Sequence, residues 1–438
     1  MTATSIAENM SPELLKVAER AKQEPAFRFS SVAHLITEEA LARAYRRLRK
    51  DAAVGVDGVT VEQYGQALEE NLRDLHGRMK AMQYRHQPIR RVHIPKEKGK
   101  TRPIGIATVE DKVVQGAIAE VLAAIYEPGF LPCSYGFRRG RSAHDAIREL
   151  SLVVNRGEVN WVLEADIMSF FDSVDRTALK EMLQRRVVDG SLMRLIGKCL
   201  HVGVLDGEEY AEPETGTAQG SILSPLLGNI YLHNVLDVWF EEEVKPRLRG
   251  KATLIRYADD FVIGFEREDD AKRVMAVIGQ RMTKYGLTLH PEKTRLLHFG
   301  RPSKAQTSGK GPGTFDFLGF TLYWRRSRAG HWYMACKTRG ARLGRAIQAV
   351  YDWCRSHRHE PLEVQHLALS RRIQGHINYF GVNGNSPALA KLVHRARAAW
   401  YKWLKRRSQK SHLTWERFEA ILRRFPLPRA RIAVQLCA

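Results

Sequence analysis

No uninterrupted apolar run in the chain approaches the ~18 residues of a bilayer-spanning helix, so no transmembrane helix is expected. Met1 to Asn9 offer neither a basic start nor an apolar centre, which argues against a secretory signal. Cysteine is sparse: five residues in 438 (Cys133, Cys199, Cys336, Cys354, Cys437), with no C-x-x-C pair. That spacing excludes a zinc finger or zinc-bearing nuclease built on cysteine pairs and points to reduced thiols. The remaining shortage is of acids, and it is local. Residues 325–438 carry five Asp and Glu against 24 Lys and Arg, a net +19, whereas the first 324 residues supply only +3 of the total +22. A near-neutral body with a basic final quarter implies a polyanion held mainly by that quarter. Membranes and acidic proteins also attract such charge. Five tryptophans in the same stretch (Trp332, Trp353, Trp400, Trp403, Trp415) tilt the choice towards nucleic acid, although at helical spacing some of them belong to a core. A length of 438 residues with 44% hydrophobic content is enough for two or more domains.

What is present centres on Leu254 to Gly264. Two apolar arms, Leu254-Ile255 and Phe261-Val262-Ile263, flank a polar tip with Asp259 and Asp260 side by side. This pattern predicts a buried hairpin with the acids at its apex. Adjacent carboxylates repel, so the pair is costly unless a cation sits on it. A solvated Asp-Asp turn is the plain alternative. A second apolar strand, Trp161 to Ala165, ends in Asp166 and is followed by Phe170 and Phe171. One Asp from a strand plus two from a hairpin, Asp166 with Asp259 and Asp260, is a ligand set for two Mg²⁺ ions in phosphoryl or nucleotidyl transfer, with Mn²⁺ an alternative ion.

Around these acids lie other signals. Ile89–Pro95 and Arg102–Ile106 read as strands joined by a turn with Lys96, Lys98 and Lys100. A Gly-punctuated loop carries Arg138, Arg139 and Arg141 into a helix capped by Ser142, where guanidinium groups and backbone amides can reach phosphates. Gln219-Gly220 lies in a turn before Ser224-Pro225, read as N-cap and N1 of a long helix; there a side chain and bare backbone can approach a nucleotide. Thr37 caps an amphipathic helix over 37–50, Ala271–Tyr285 forms a helix ended by Gly286, and 301–313 is a flexible loop. Residues 387–407 place Leu389, Leu392, Val393, Ala396, Trp400, Trp403 and Leu404 on one apolar stripe with a cationic face opposite.

From roughly Phe27 to near the C-terminus, these blocks resemble the reverse transcriptase/maturase proteins encoded by bacterial group II introns. The resemblance implies an α+β right-hand polymerase followed by an all-α basic thumb: an N-terminal extension (1–60) contacting template and primer, fingers and palm (61–324), and a thumb/maturase domain (325–438). It implies that Lys100 and Arg102 clamp the incoming triphosphate and that Phe171 lies under its sugar and excludes a 2′-hydroxyl. Gln219 and Gly220 then line the nucleotide site, though Ala218 stands where the family usually has Pro. Lys293 protonates the leaving pyrophosphate, Phe317, Leu318 and Gly319 form the primer grip, and Arg138, Arg139 and Arg141 approach template and nucleotide. Gln374 to Gly384 resembles the maturase signature. The implied activity is RNA-directed DNA synthesis on intron RNA, with dNTPs and a DNA primer or target DNA as partners, no membrane, and a cytoplasmic, nucleoid-associated location. Assistance to splicing and retrohoming is implied as well, without the endonuclease extension of some relatives. A splicing cofactor with a dispensable polymerase centre, or a domesticated enzyme of defence or hypermutation, are the competing expectations.

Overall fold

Short sequence signals set the elements of the computed structural model, which describes residues 10–95, 101–212, 215–217, 219–303, 313–408 and 412–436. Lys96, Lys98 and Lys100, Ala218, Cys437 and most of the 301–313 loop lie outside the described residues. The strands are β1 (Ile89–Pro95), β2 (Thr101–Ile106), β3 (Trp161–Asp166), β4 (Val204–Asp206), β5 (Glu209–Ala211), β6 (Ala252–Tyr257), β7 (Asp260–Phe265), β8 (Arg295–His298), β9 (Phe315–Phe317), β10 (Phe320–Arg326) and β11 (Trp332–Thr338). They form three sheets, ordered β2-β1-β4-β5, β6-β7-β3-β8 and β11-β10-β9.

The β6-β7-β3-β8 sheet is a wall between two apolar cores. Because strand neighbours alternate faces, Leu163, Ala165, Leu254, Phe261, Ile263 and Phe265 enter one core, while Val162, Ile255 and Val262 enter the other. The first core is closed by helices Val109–Tyr126, Ser224–Leu232 and Glu268–Lys284, and the second by β9–β11 and the C-terminal helices. A strand apolar on both faces has no solvent side, which explains the hydrophobic run Phe261-Val262-Ile263 in β7; in β3 Glu164 breaks the run, its carboxylate accepting from Arg295 Nε at 2.8 Å.

Helix starts follow their caps. Thr37 accepts from Ala40 N at the head of Glu38–Arg46, and Ser142 forms a capping box with Asp145 at the head of Ala143–Asn155. Asp175 caps Arg176–Gln184. The Gln219-Gly220 turn precedes helix Ser224–Leu232, but Ser224 is its first residue rather than its cap, and Leu223 at the cap makes no side-chain bond. Ser221 serves just upstream, its Oγ accepting from Leu223 N at 3.2 Å. The helix then widens into π-turns over His233–Asp237 and Trp239–Val244.

The basic quarter does not begin as helix. Residue 325 falls inside the β10–β11 hairpin, and the helices Gly340–Ser356, Leu362–Phe380, Ser386–Lys405 and Trp415–Arg424 follow it. Charge dominates the sequence there and masks a short strand whose middle, Met334, Ala335 and Cys336, is buried on both faces and so shows no alternation.

Candidate active site

Asp166 is the last residue of β3 and Asp260 the first of β7, and the two face each other as cross-strand partners. Tyr257 of β6 pairs with Asp260, so Ala258 and Asp259 form a two-residue hairpin turn. Asp259 therefore sits on the turn and Asp260 inside the strand, one step beyond a shared apex. Ala258 has φ +56°, the left-handed conformation that a tight hairpin imposes on its first central residue. Gly136 lies against this turn: a Cβ there would come 2.3 Å from Ala258 N, so only glycine fits.

The turn is held from behind by a residue that the hydrophobic pattern does not single out. Arg256 in β6 is fully buried and uses all five N–H donors. Nε and Nη2 donate to the two Asp237 carboxylate oxygens (2.7 and 2.6 Å), Nη1 to Asn229 Oδ1 (3.0 Å) and the Ala258 carbonyl (3.1 Å), and Nη2 also to Ser134 Oγ (2.8 Å). The signal was legible in kind: an arginine within an apolar arm, and an aspartate between Leu236 and Val238, demand one another when buried.

The acids open onto a cavity of about 720 Å³, within the usual range for small-molecule sites. Arg102, Phe171, Gln219, Gly220, Lys293, Phe317, Leu318 and Gly319 line it together with Asp166, Asp259 and Asp260. Burial, the charge of Asp259 and a hydrogen bond with Asp166 push Asp260 up to about 7, and burial and Asp166 raise Asp259. Lys293 Nζ donates to Asp166 Oδ2 at 2.5 Å and relieves part of this repulsion. Among the described residues no three His, Cys, Asp or Glu side chains are gathered as a ready metal cage. The donor chemistry nevertheless suits a hard divalent cation: oxygen-only carboxylates whose charged forms are disfavoured in their present surroundings.

Phe170 and Phe171 are not on a continuing strand. Ser169 turns left-handed (φ +45°), and Phe170–Ser173 make one helical turn. Phe170 is buried while Phe171 faces the cavity, their rings edge to face at 5.1 Å. Asp172 sits within that turn and caps no helix. With its amide oriented to satisfy its neighbours, Gln219 donates to the Pro103 carbonyl (2.9 Å) and accepts from Arg102 Nε (3.2 Å). Gly220 needs its φ of +105° and its bareness, since a Cβ would lie 2.5 Å from the Gly105 carbonyl oxygen. Leu318 and Gly319 form the β9–β10 turn with φ +52° and +81°, pinned where Tyr379 donates to the Leu318 carbonyl (3.0 Å).

The three loop arginines part company. Arg138 turns inward, 7% exposed, donating to Glu127 (2.7 Å) and the Leu131 and Ser134 carbonyls. Arg141 lies over the Tyr135 ring at 5.1 Å, and Arg139 lines a separate apolar cavity. None of the three lines the acid cavity, whereas Arg339, Arg342 and Arg345, spaced i, i+3, i+6, do. Lys100, the other clamp residue expected from sequence, lies outside the described residues.

The sequence pattern of the reverse transcriptase (RNA-dependent DNA polymerase) family matches residues 94–322, just over half of the chain and all three aspartates. Protein YkfC of Escherichia coli K12 is 33% identical over 351 residues, spanning 72% of this chain and 88% of its own. The group II intron-encoded protein LtrA of Lactococcus lactis is 28% identical over 342 residues, 65% of this chain, and the chain spans 55% of LtrA's length. Nuclear intron maturase 4 of Arabidopsis thaliana shares 30% identity over 128 residues, 29% of this chain and 16% of its own. With relatives encoded by group II introns and a profile match that runs through the paired strands and their acids, the chain belongs to the reverse transcriptase (RNA-dependent DNA polymerase) family.

Proposed function

We propose that the protein copies RNA into DNA at the Asp166–Asp259–Asp260 cavity. The observation that carries this is the cross-strand placement of Asp166 opposite Asp260, with Arg102, Phe171, Gln219 and Lys293 on the walls of the same cavity. Asp166, Asp259 and Asp260 would hold two Mg²⁺ ions. Bound there, the metals would supply Lewis acidity to the primer 3′-oxygen and neutralise charge on the departing pyrophosphate. Arg102 clamps the triphosphate, with the planar fork that phosphate oxygens accept. Phe171 forms the floor under the sugar, and Lys293, already bonded to an acid, supplies a proton to the leaving group. Leu318-Gly319 and the Arg339, Arg342 and Arg345 row hold the primer strand. In right-hand terms β3, β6 and β7 are palm, β1 and β2 fingers, and the helices from Gly340 the thumb.

The basic helices support a second role beside the first: binding of intron RNA to assist its splicing and mobility. Arg372 lies 4.7 Å from the Trp353 ring centroid, and Lys402 and Arg406 each lie 5.7 Å from that of Trp403, a cation-and-ring surface suited to backbone and base contact. Primer extension on an RNA template separates the roles. Asp259→Ala abolishes synthesis and leaves RNA binding largely intact; synthesis by the variant at the wild-type rate would remove Asp259 from the metal site.

A further inference from the structure

The chain touches both halves of the proposed nucleotide site, at residues 215–217 and again at 219–220. At one end it straps the turn that carries Phe171: Gly216 N donates to the Val174 carbonyl (2.8 Å), Thr217 N to the Phe171 carbonyl (2.7 Å), and Thr215 Oγ1 to the Asp172 carbonyl (3.1 Å). At the other end Gly105 N of β2 donates to the Gln219 carbonyl (2.6 Å), and the Gln219 amide meets Arg102. Gly216 has φ +84°, and a Cβ built on it would lie 2.8 Å from the carbonyl oxygens of both Phe171 and Asp172 and 2.9 Å from Asp172 Cα. These are backbone atoms, which cannot swing aside as a side-chain tip would. Any side chain at 216 must therefore push the Phe171 peptide away from the strap.

We propose that Gly216 is a positioning residue for sugar selection: by letting the 215–217 strap lie directly on the Phe170–Ser173 turn, it sets the height of the Phe171 ring in the nucleotide cavity. This rests on Phe171 being the floor under the sugar. A steric gate discriminates by contact, so a displacement of a few tenths of an ångström matters; in positioned reactions a shift of ~1 Å costs up to about 10²-fold. On its other side the ring lies over bare Gly228, where an added Cβ would come 3.3 Å from Phe171 Cε1.

The test is single-nucleotide incorporation on an RNA template, reading the ratio of kcat/KM for a dNTP to that for the matching rNTP. Phe171→Ala should lower the ratio by about 10²-fold or more and Gly216→Ala by about tenfold. Gly207→Ala serves as control: Gly207 also has positive φ (+65°), but open space surrounds its Cβ direction, and its ratio should not change. Thr215→Val, which removes only the bond to the Asp172 carbonyl, should lower the ratio about twofold and stands in if Gly216→Ala does not fold. In the Phe171→Ala background, Gly216→Ala should add nothing, because no ring remains to be placed. An unchanged ratio in Gly216→Ala, or full additivity in the double variant, overturns the positioning role while leaving the gate in place. An unchanged ratio in Phe171→Ala overturns the gate and the positioning role together.

Discussion

The acid hairpin and the basic C-terminal helices both handle charge, and they do so in opposite ways. Behind the hairpin a single arginine meets five acceptors with no donor to spare, and its partner Asp237 is fully buried. On the helices the cations lie outside, resting over aromatic faces or in water, as Lys391 and Arg395 do. In the first region each group is indispensable because its neighbours are fixed to it. In the second, one cation can stand for another. Catalysis needs geometry, and grip on a polyanion needs number.

Breaking the hairpin network gives the largest effect. Arg256→Met leaves the buried Asp237 carboxylate unpaired and should cost ~3–5 kcal/mol in urea unfolding, with synthesis lost in proportion to the displaced turn. Replacing both partners, Arg256→Met with Asp237→Leu, should recover most of that stability. A double variant as unstable as the single one would mean that the pair is not acting as a unit. The helices should behave differently. Lys391→Gln or Arg395→Gln should change RNA affinity less than threefold, and the double variant should lower the slope of log affinity against log salt by about 0.7 per lost phosphate contact. A single substitution that abolished binding would give these helices the same all-or-none character as the hairpin. A separate effect concerns His376, whose imidazole is pushed down to about 4 by burial, with Arg342 adding to the shift. The unfolded chain takes up that proton near 6.5, so the stabilising contribution is complete above this pH and is lost as pH falls towards 4. Urea midpoints at pH 7.5 and 5 should differ less in His376→Leu than in the parent.

What the sequence disclosed follows the same division. The paired strands and their acids were legible because a buried strand must be apolar and the acids interrupt it at its end, so Asp166, Asp259 and Asp260 stood out as a group. Phe171, Gln219 and Lys293 were found through family resemblance, and they line one cavity with the acids. Arg138 could not be told from Arg141 in a row of arginines, because only the fold decides which one turns in to Glu127. Arg256 escaped because its function is to be hidden, and apart from the nearby Ala258 carbonyl its acceptors come from Ser134, Asn229 and Asp237, removed from it in sequence. The β10–β11 hairpin was lost under the charge of its surroundings. Arg339, Arg342 and Arg345 had a readable spacing, but which of the basic groups faces the acids depends on how the helix docks.

The sheet that separates the two cores has one more consequence. Val162, Ile255 and Val262 press into the packing beneath the C-terminal helices, while their immediate neighbours in the same strands support the acids from the other side. A void opened under those helices, as Val262→Ala would open, is thus one residue away from Phe261 and two from Asp260. Repacking beneath those helices therefore acts on the very strands that carry Asp166 and Asp260, and substitutions on the two faces of the sheet should couple in double-variant cycles.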